Sequence, residues 1–142
     1  MSLGISGKSA LVVGASKSIG LAAAQELWEQ GCDVTCVARS IETKERERGR
    51  TIRLDITRDG SERVLVDKIV PPDIIVHCVG GSQGVTDTWQ HSHYWQRVWQ
   101  LNLGAAHDIN RAFVPGMIER GWGRIVHISS ISTKAHIGYA PY

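Results

Sequence analysis

The feature that most constrains this chain is a glycine turn set between an apolar run and a helix-like segment. Ala10-Leu11-Val12-Val13 leads into Gly14-Ala15-Ser16-Lys17-Ser18-Ile19-Gly20. Residues 19–30 then show helical spacing, with Ile19, Ala22, Ala23 and Leu27 expected on one face. Gly14 permits a tight turn, Gly20 permits close packing of helix on strand, and the free N–H groups of the helix N-terminus suit a pyrophosphate. Strand, turn and helix in that order point to a parallel sheet whose connections cross back over its faces.

The rest of the chain repeats the alternation. Gly31 closes the first helix, and residues 32–38 form a second apolar run of the kind found in a sheet covered on both faces. A charged segment, 42–50, precedes a third run at 51–56. Ser61 is the expected N-cap of a helix reaching about residue 69, which Pro71-Pro72 stop before a fourth strand at 73–78. Gly80-Gly81-Ser82-Gln83-Gly84 reads as a loop. A long helix is expected over 92–112, a further turn after Pro115 up to Gly121, and a fifth strand over 124–129. The expected architecture is therefore α/β: a Rossmann-type doubly wound parallel sheet of about five strands, with a truncated second half, in one domain spanning 1–142.

Charge and cysteine usage narrow the function. Sixteen Lys and Arg against fourteen Asp and Glu leave a net charge of +2. The basic residues are scattered rather than gathered into the stripe that nucleic acid requires. No apolar run approaches bilayer length, and the first seven residues lack the features of a signal peptide, so a soluble cytoplasmic protein is expected. Cys32, Cys36 and Cys78 form no Cys-x-x-Cys pair and read as small buried hydrophobes. His91 and His93 have no third ligand nearby in sequence, so no metal site is expected.

The end of the second strand bears on which nucleotide is bound. An acid there would accept hydrogen bonds from a ribose 2′-OH, whereas this strand ends Val37-Ala38-Arg39-Ser40. Arg39, with Lys17 in the glycine turn, favours a 2′-phosphate, hence NADP(H) over NAD(H). The same Ala38-Arg39 argues against a doubly wound methyltransferase, whose ribose typically meets an acid at this point.

Taken together, these residues resemble the short-chain dehydrogenase/reductase family, whose glycine motif reads Thr-Gly-x-x-x-Gly-x-Gly. The resemblance covers essentially the whole chain. It implies cofactor contacts from Gly14, Ser16, Lys17, Ser18, Ile19, Gly20, Arg39 and Ser40. Leu54-Asp55-Ile56-Thr57 looks like the segment whose aspartate meets the adenine, which adds Asp55 and Ile56. His77-Cys78-Val79-Gly80 stands where the family has Asn-Asn-Ala-Gly, so Cys78, Val79 and Gly80 would line the cofactor. Asn102 matches the helix asparagine of the catalytic tetrad, and Ser130, the second of a serine pair in Gly123-Arg124-Ile125-Val126-His127-Ile128-Ser129-Ser130, matches the catalytic serine. Tyr142 falls at the catalytic tyrosine, with Tyr139 a poorer match.

Three departures stand out. Val13 replaces the motif's threonine, Ser18 replaces its middle glycine, and His77 and Cys78 replace both asparagines. In the family the tyrosine opens Tyr-x-x-x-Lys, and the sequence ends before that lysine. A cation beside a phenol lowers a pKa that starts near 10, so in the 142-residue chain alone the adenine half of the cofactor site is expected to form and the reaction to be absent or barely measurable. The implied activity is an NADP(H)-dependent carbonyl/hydroxyl oxidoreductase acting on a small molecule. The alternative is a non-catalytic nucleotide-binding module. Trp89, Trp95 and Trp99 lie around one helix, where they would fill a core or an interface. By resemblance the chain is expected to form a homo-oligomer.

Overall fold

The computed structural model describes residues 3–42, 44–46, 49–131 and 134. Six strands and five helical segments follow in the order β1 (Ser9–Val13), α1 (Ser18–Glu29), β2 (Asp33–Ala38), β3 (Lys44–Arg46), β4 (Gly49–Arg53), α2 (Ser61–Lys68), β5 (Ile74–His77), α3 (Ser92–Trp99), a π-helical turn (Gln100–Gly104), α4 (Ala105–Glu119) and β6 (Arg124–His127). The sheet order is β3-β4-β2-β1-β5-β6. Strands β4, β2, β1, β5 and β6 run parallel, which is the expected five-stranded sheet. β3 is an addition to that expectation: it pairs antiparallel with β4 at the outer edge. Its residues come from the charged segment, as suits a strand that stands at the edge of the sheet among the described residues.

Two apolar layers sandwich the sheet. On one face Leu11, Val13, Val37 and Ile75 pack against Leu65 of α2 and Ile109, Phe113 and Met117 of α4. On the other, Val12, Val34, Cys36 and Val76 pack against Ala24 of α1. Each fully buried Leu or Ile contributes roughly 1.5–3 kcal/mol. Alternate residues of β1 and β5 serve opposite layers, which is why these strands read as continuous apolar runs.

Several local expectations are corrected. The face of α1 toward the sheet is centred on Gly20 and Ala24, with Ala23 and Leu27 beside it, while Ile19 and Ala22 are exposed. Ser61 is not a cap: Gly60, at φ 78°, holds that position, and the buried Ser61 hydroxyl donates to the Ile56 carbonyl at 2.9 Å. The helix over 92–112 is divided by the π-turn, and α4 runs straight through Pro115. Proline inside a helix costs ~3 kcal/mol, but Ile109, Phe113 and Met117 are buried on both sides of it, and their burial outweighs that cost. Trp89 is 91% exposed and Trp99 is 58% exposed, so neither fills a core within the described residues. Cys32 and Cys36 are buried and Cys78 half-buried, and none of the three is in a disulfide.

Candidate active site

The strand order reverses direction at β1, which has β2 on one side and β5 on the other. At such a switch point the loops leave toward opposite faces and open a crevice beyond the carboxyl ends of the strands. Short bonds fix that edge. The amides of Gly14 and Ala15 donate to the Val37 carbonyl at 2.8 and 3.3 Å, and the Cys78 amide donates to the Val13 carbonyl at 2.8 Å.

A cleft of about 230 Å³ lies there, lined by Gly14, Ser16, Lys17, Arg39, Ser40, Asp55, Ile56, Cys78, Val79 and Gly80 among others. The structure thus brings together ten of the thirteen residues expected to hold a cofactor. Gly14 adopts φ 89°, and a Cβ there would stand 2.8 Å from both the Cys78 carbonyl oxygen and Val79 Cγ2. The close approach that only glycine allows is therefore used. Ser18, Ile19 and Gly20 lie off the cleft wall. Gly20 is buried against the Gly14 backbone, where any Cβ would overlap the Gly14 carbonyl oxygen, so its part is packing α1 onto the turn.

Ser18 occupies the glycine position at φ 50°, a left-handed conformation that serine adopts at a cost. It opens α1 together with Lys17, whose side chain makes no capping bond, and the first turn holds no acid. No side chain of the N-cap thus covers the first amides of α1, which follow directly on the Ser16 and Lys17 wall of the cleft. A glycine cradle that a Cβ would fill, beside an uncapped helix N-terminus, fits the pyrophosphate of a dinucleotide.

At the far end of the cleft, Asp55 is half-buried. Its Oδ1 accepts from the Thr57 amide at 3.1 Å and the Thr57 hydroxyl at 2.7 Å. Burial pushes its carboxyl upward, but the two Thr57 bonds and the charges of Arg39 and Arg58 outweigh burial and hold it below the usual carboxylate range. A neighbouring hollow is lined by Arg39, Arg53, Leu54, Asp55 and Arg58. Sequence reasoning singled out only Arg39 of these arginines. Arg53 stands two residues before Asp55 and Arg58 three after it, and that spacing is the signal that could have found them.

Asn102 sits in the middle of the π-turn, where the Ala105 amide reaches back to the Gln100 carbonyl. Widened turns of this kind recur at functional sites. The Asn102 side chain is a clamp on the loop after β5. Its Oδ1 accepts from the Gly81 amide at 2.9 Å, and its Nδ2 donates to the carbonyls of Gly81 at 2.9 Å and Val98 at 2.8 Å. Gly80 must lack a side chain because a Cβ would meet Asn102 Oδ1 at 2.9 Å. Asn102 also lines a second cavity of about 320 Å³ with His77, His127 and Ser129. Ser130 is exposed just past that cavity, so Ser129, rather than Ser130, forms its wall. Tyr142 and Tyr139 lie outside the described residues.

His77, which sequence reasoning treated only as a replaced asparagine, is 5% exposed on β5. Burial, with the His127 ring adding to it, holds its pKa below 6.5 against the opposing bond from Asn110. Among the described residues no group of three or more His, Cys, Asp or Glu is placed to hold a metal ion. No helix among them is long and apolar enough to cross a membrane.

Comparison with known proteins agrees with this geometry. The short chain dehydrogenase family model matches residues 8–142. The acetoacetyl-CoA reductase of Allochromatium vinosum is 30% identical over 149 aligned positions, covering 94% of this chain and 61% of the relative. The 3-oxoacyl-acyl-carrier-protein reductase of Vibrio cholerae is 30% identical over 151 positions, covering 99% and 62%. A short-chain dehydrogenase from Streptomyces avermitilis superposes with a TM-score of 0.79 at 26% identity, covering 94% of this chain and 53% of that one. The chain spans about three fifths of the length of the two curated relatives named here. A match from residue 8 onward, on a sheet whose glycine cleft lies at its switch point, places this chain in the short chain dehydrogenase family.

Proposed function

We propose that this chain carries the cofactor-binding half of an NADP(H)-dependent oxidoreductase that interconverts a carbonyl and a hydroxyl group on a small molecule. The observation that carries the reading is the set of arginines at the adenosine end of the cleft: Arg39, Arg53 and Arg58 border one hollow, with Asp55 beside them. A 2′-phosphate brings close to two negative charges, and a fork of guanidinium donors satisfies them with charge-assisted bonds. A ribose 2′-OH would instead call for an acid at the end of β2, where Ala38-Arg39 stand.

When bound, the cofactor supplies the hydride. The protein's part is placement and proton handling. Gly14 lets the dinucleotide reach the backbone, the amides of α1 meet the pyrophosphate, and Asn102 holds the loop of Gly80 and Gly81 that forms one wall. Ser130 orients the substrate oxygen and Tyr142 exchanges its proton. That exchange near neutral pH needs a cation one helical turn beyond the tyrosine to favour phenolate. Acetoacetyl-CoA, named for one relative, is the first substrate to try.

The test is equilibrium binding of NADPH and NADH to the purified protein. At least tenfold tighter binding of NADPH, with the preference lost in Arg39→Ala, supports the reading. Equal affinities, or S-adenosylmethionine binding in place of both, overturn it. Cofactor binding without turnover of any carbonyl substrate by the protein carrying the lysine favours the non-catalytic module.

A further inference from the structure

Two histidines and an asparagine form a polar row beneath the serine end of β6, and the mechanism above does not use it. His77 and His127 are direct partners in the β5–β6 register. Their rings stack at 4.5 Å with 16° between planes. Both turn Nε2 toward one residue of α4: His77 Nε2 lies 2.9 Å from Asn110 Oδ1, and Asn110 Nδ2 lies 3.4 Å from His127 Nε2.

The amide has one accepting and one donating end, so the two rings are read in opposite senses. An acceptor facing His77 requires the proton on its Nε2. A donor facing His127 requires a bare Nε2, hence a proton on Nδ1. We propose that Asn110 is a positioning residue that imposes opposite tautomers on His77 and His127 and so fixes the height of β6, the strand that delivers Ser129 and Ser130.

The surroundings favour such a lock. The cavity under the pair is otherwise apolar except for Asn102 and Ser129, and among the described residues its lining holds no ionisable group besides the two histidines. From α4, Asn110 is the residue that bonds both rings. From β1, Val13 sits beside His77 in register. The next link toward the serines is also made here, since the Ile128 amide donates to the His77 carbonyl at 2.9 Å. β6 lacks a second neighbouring strand among the described residues, and all four of its residues are exposed. Among the described residues β5 is the strand it pairs with, and this row adds a side-chain tie to α4. The assignment of Ser130 as the catalytic serine rests on the function proposed above, but the tautomer lock does not.

Histidine-labelled 15N NMR at neutral pH, with rings assigned by His77→Asn and His127→Asn, tests it. The wild-type protein is expected to show His77 protonated on Nε2 and His127 on Nδ1. In Asn110→Asp the carboxylate accepts from both rings, so His127 is expected to move its proton to Nε2 while His77 keeps its own. The backbone amides of Ile128, Ser129 and Ser130 are expected to shift with it. Two results overturn the proposal: His127 protonated on Nε2 in the wild type, or serine amides that stay put when its tautomer changes. The wild-type spectrum decides the tautomers even if Asn110→Asp does not fold. A protein that shows the lock but binds no NADPH refutes the cofactor reading alone.

Discussion

Replacing Gly20 with alanine tests whether the glycine turn is held by contact. Gly20 lies in the first turn of α1 and has no left-handed backbone angle, so any cost arises from space. A Cβ there would stand 2.9 Å from the Gly14 carbonyl carbon, 3.2 Å from Ala15 Cα, and inside the radius of the Gly14 oxygen. Carbon–carbon contact is comfortable from ~3.5 Å, so α1 must withdraw by at least about 0.6 Å. The neighbours are all backbone, so no side chain can swing aside. Overpacking of this kind costs ~1–3 kcal/mol, and the upper end applies here. Alanine recovers about 1 kcal/mol in helix propensity over glycine, leaving a net loss of about 2 kcal/mol. For a domain of this size that lowers Tm by roughly 4–8 °C. Thermal and urea unfolding with an unchanged m-value would read it. Gly60→Ala is the comparison: at φ 78° with open space around it, it loses only the left-handed strain, about 1 kcal/mol. A Gly20→Ala protein as stable as wild type, or more stable than Gly60→Ala, would refute the packing argument.

Arg39→Ala is expected to weaken NADPH about tenfold or more, the worth of a charged hydrogen bond at ~1.5–3 kcal/mol, and to leave NADH unchanged; fluorescence titration of each cofactor reads it. In a protein that continues through the lysine, Ser130→Ala is expected to abolish carbonyl reduction with cofactor affinity kept, whereas Ser129→Ala should retain turnover; the reverse ranking in steady-state assays would reassign the catalytic serine. Asp55 has a depressed folded pKa, so its contribution is present above its unfolded value and is lost as pH falls through the folded one. Asp55→Asn should therefore lower stability at pH 7 and close the gap to wild type in acid, as followed by urea unfolding at several pH values. His77 has a folded pKa below 6.5, so the unfolded chain takes up its proton first and stability falls as pH drops below about 6.5. His77→Asn should flatten the stability profile between pH 7 and 5, and an unchanged slope would exclude His77 as its source.

The strands were legible because a parallel strand buried on both faces must be apolar along its length, as Leu11-Val12-Val13 and Ile74-Ile75-Val76 are. β3 escaped for the converse reason: an edge strand needs no apolar side chains, and Lys44-Glu45-Arg46 is built from charge. The π-turn around Asn102 left no trace in the helical spacing, which carries on across it. Pro115 misled because a breaker rule is local, whereas the burial of Phe113 and Met117 is tertiary. At the site, the glycine motif and Arg39 each marked a stretch of the wall of the cleft that the fold forms. The row of His77, Asn110 and His127 joins positions 33 and 17 residues apart, and only the β5–β6 register brings them together.

The placement of β1 also sets an order of assembly. Ala10 pairs with Val34 on one side and Ile74 on the other. As the chain leaves the ribosome, β1, β2 and β4 can pair while β5 is still unmade, leaving one edge of β1 open. Leu11, Val12 and Val13 are apolar on both faces, and an open apolar edge is a template for pairing with other chains. The seam at which the cleft opens is thus the last to close around β1, and until Ile74–His77 docks the nascent chain carries an open apolar edge there.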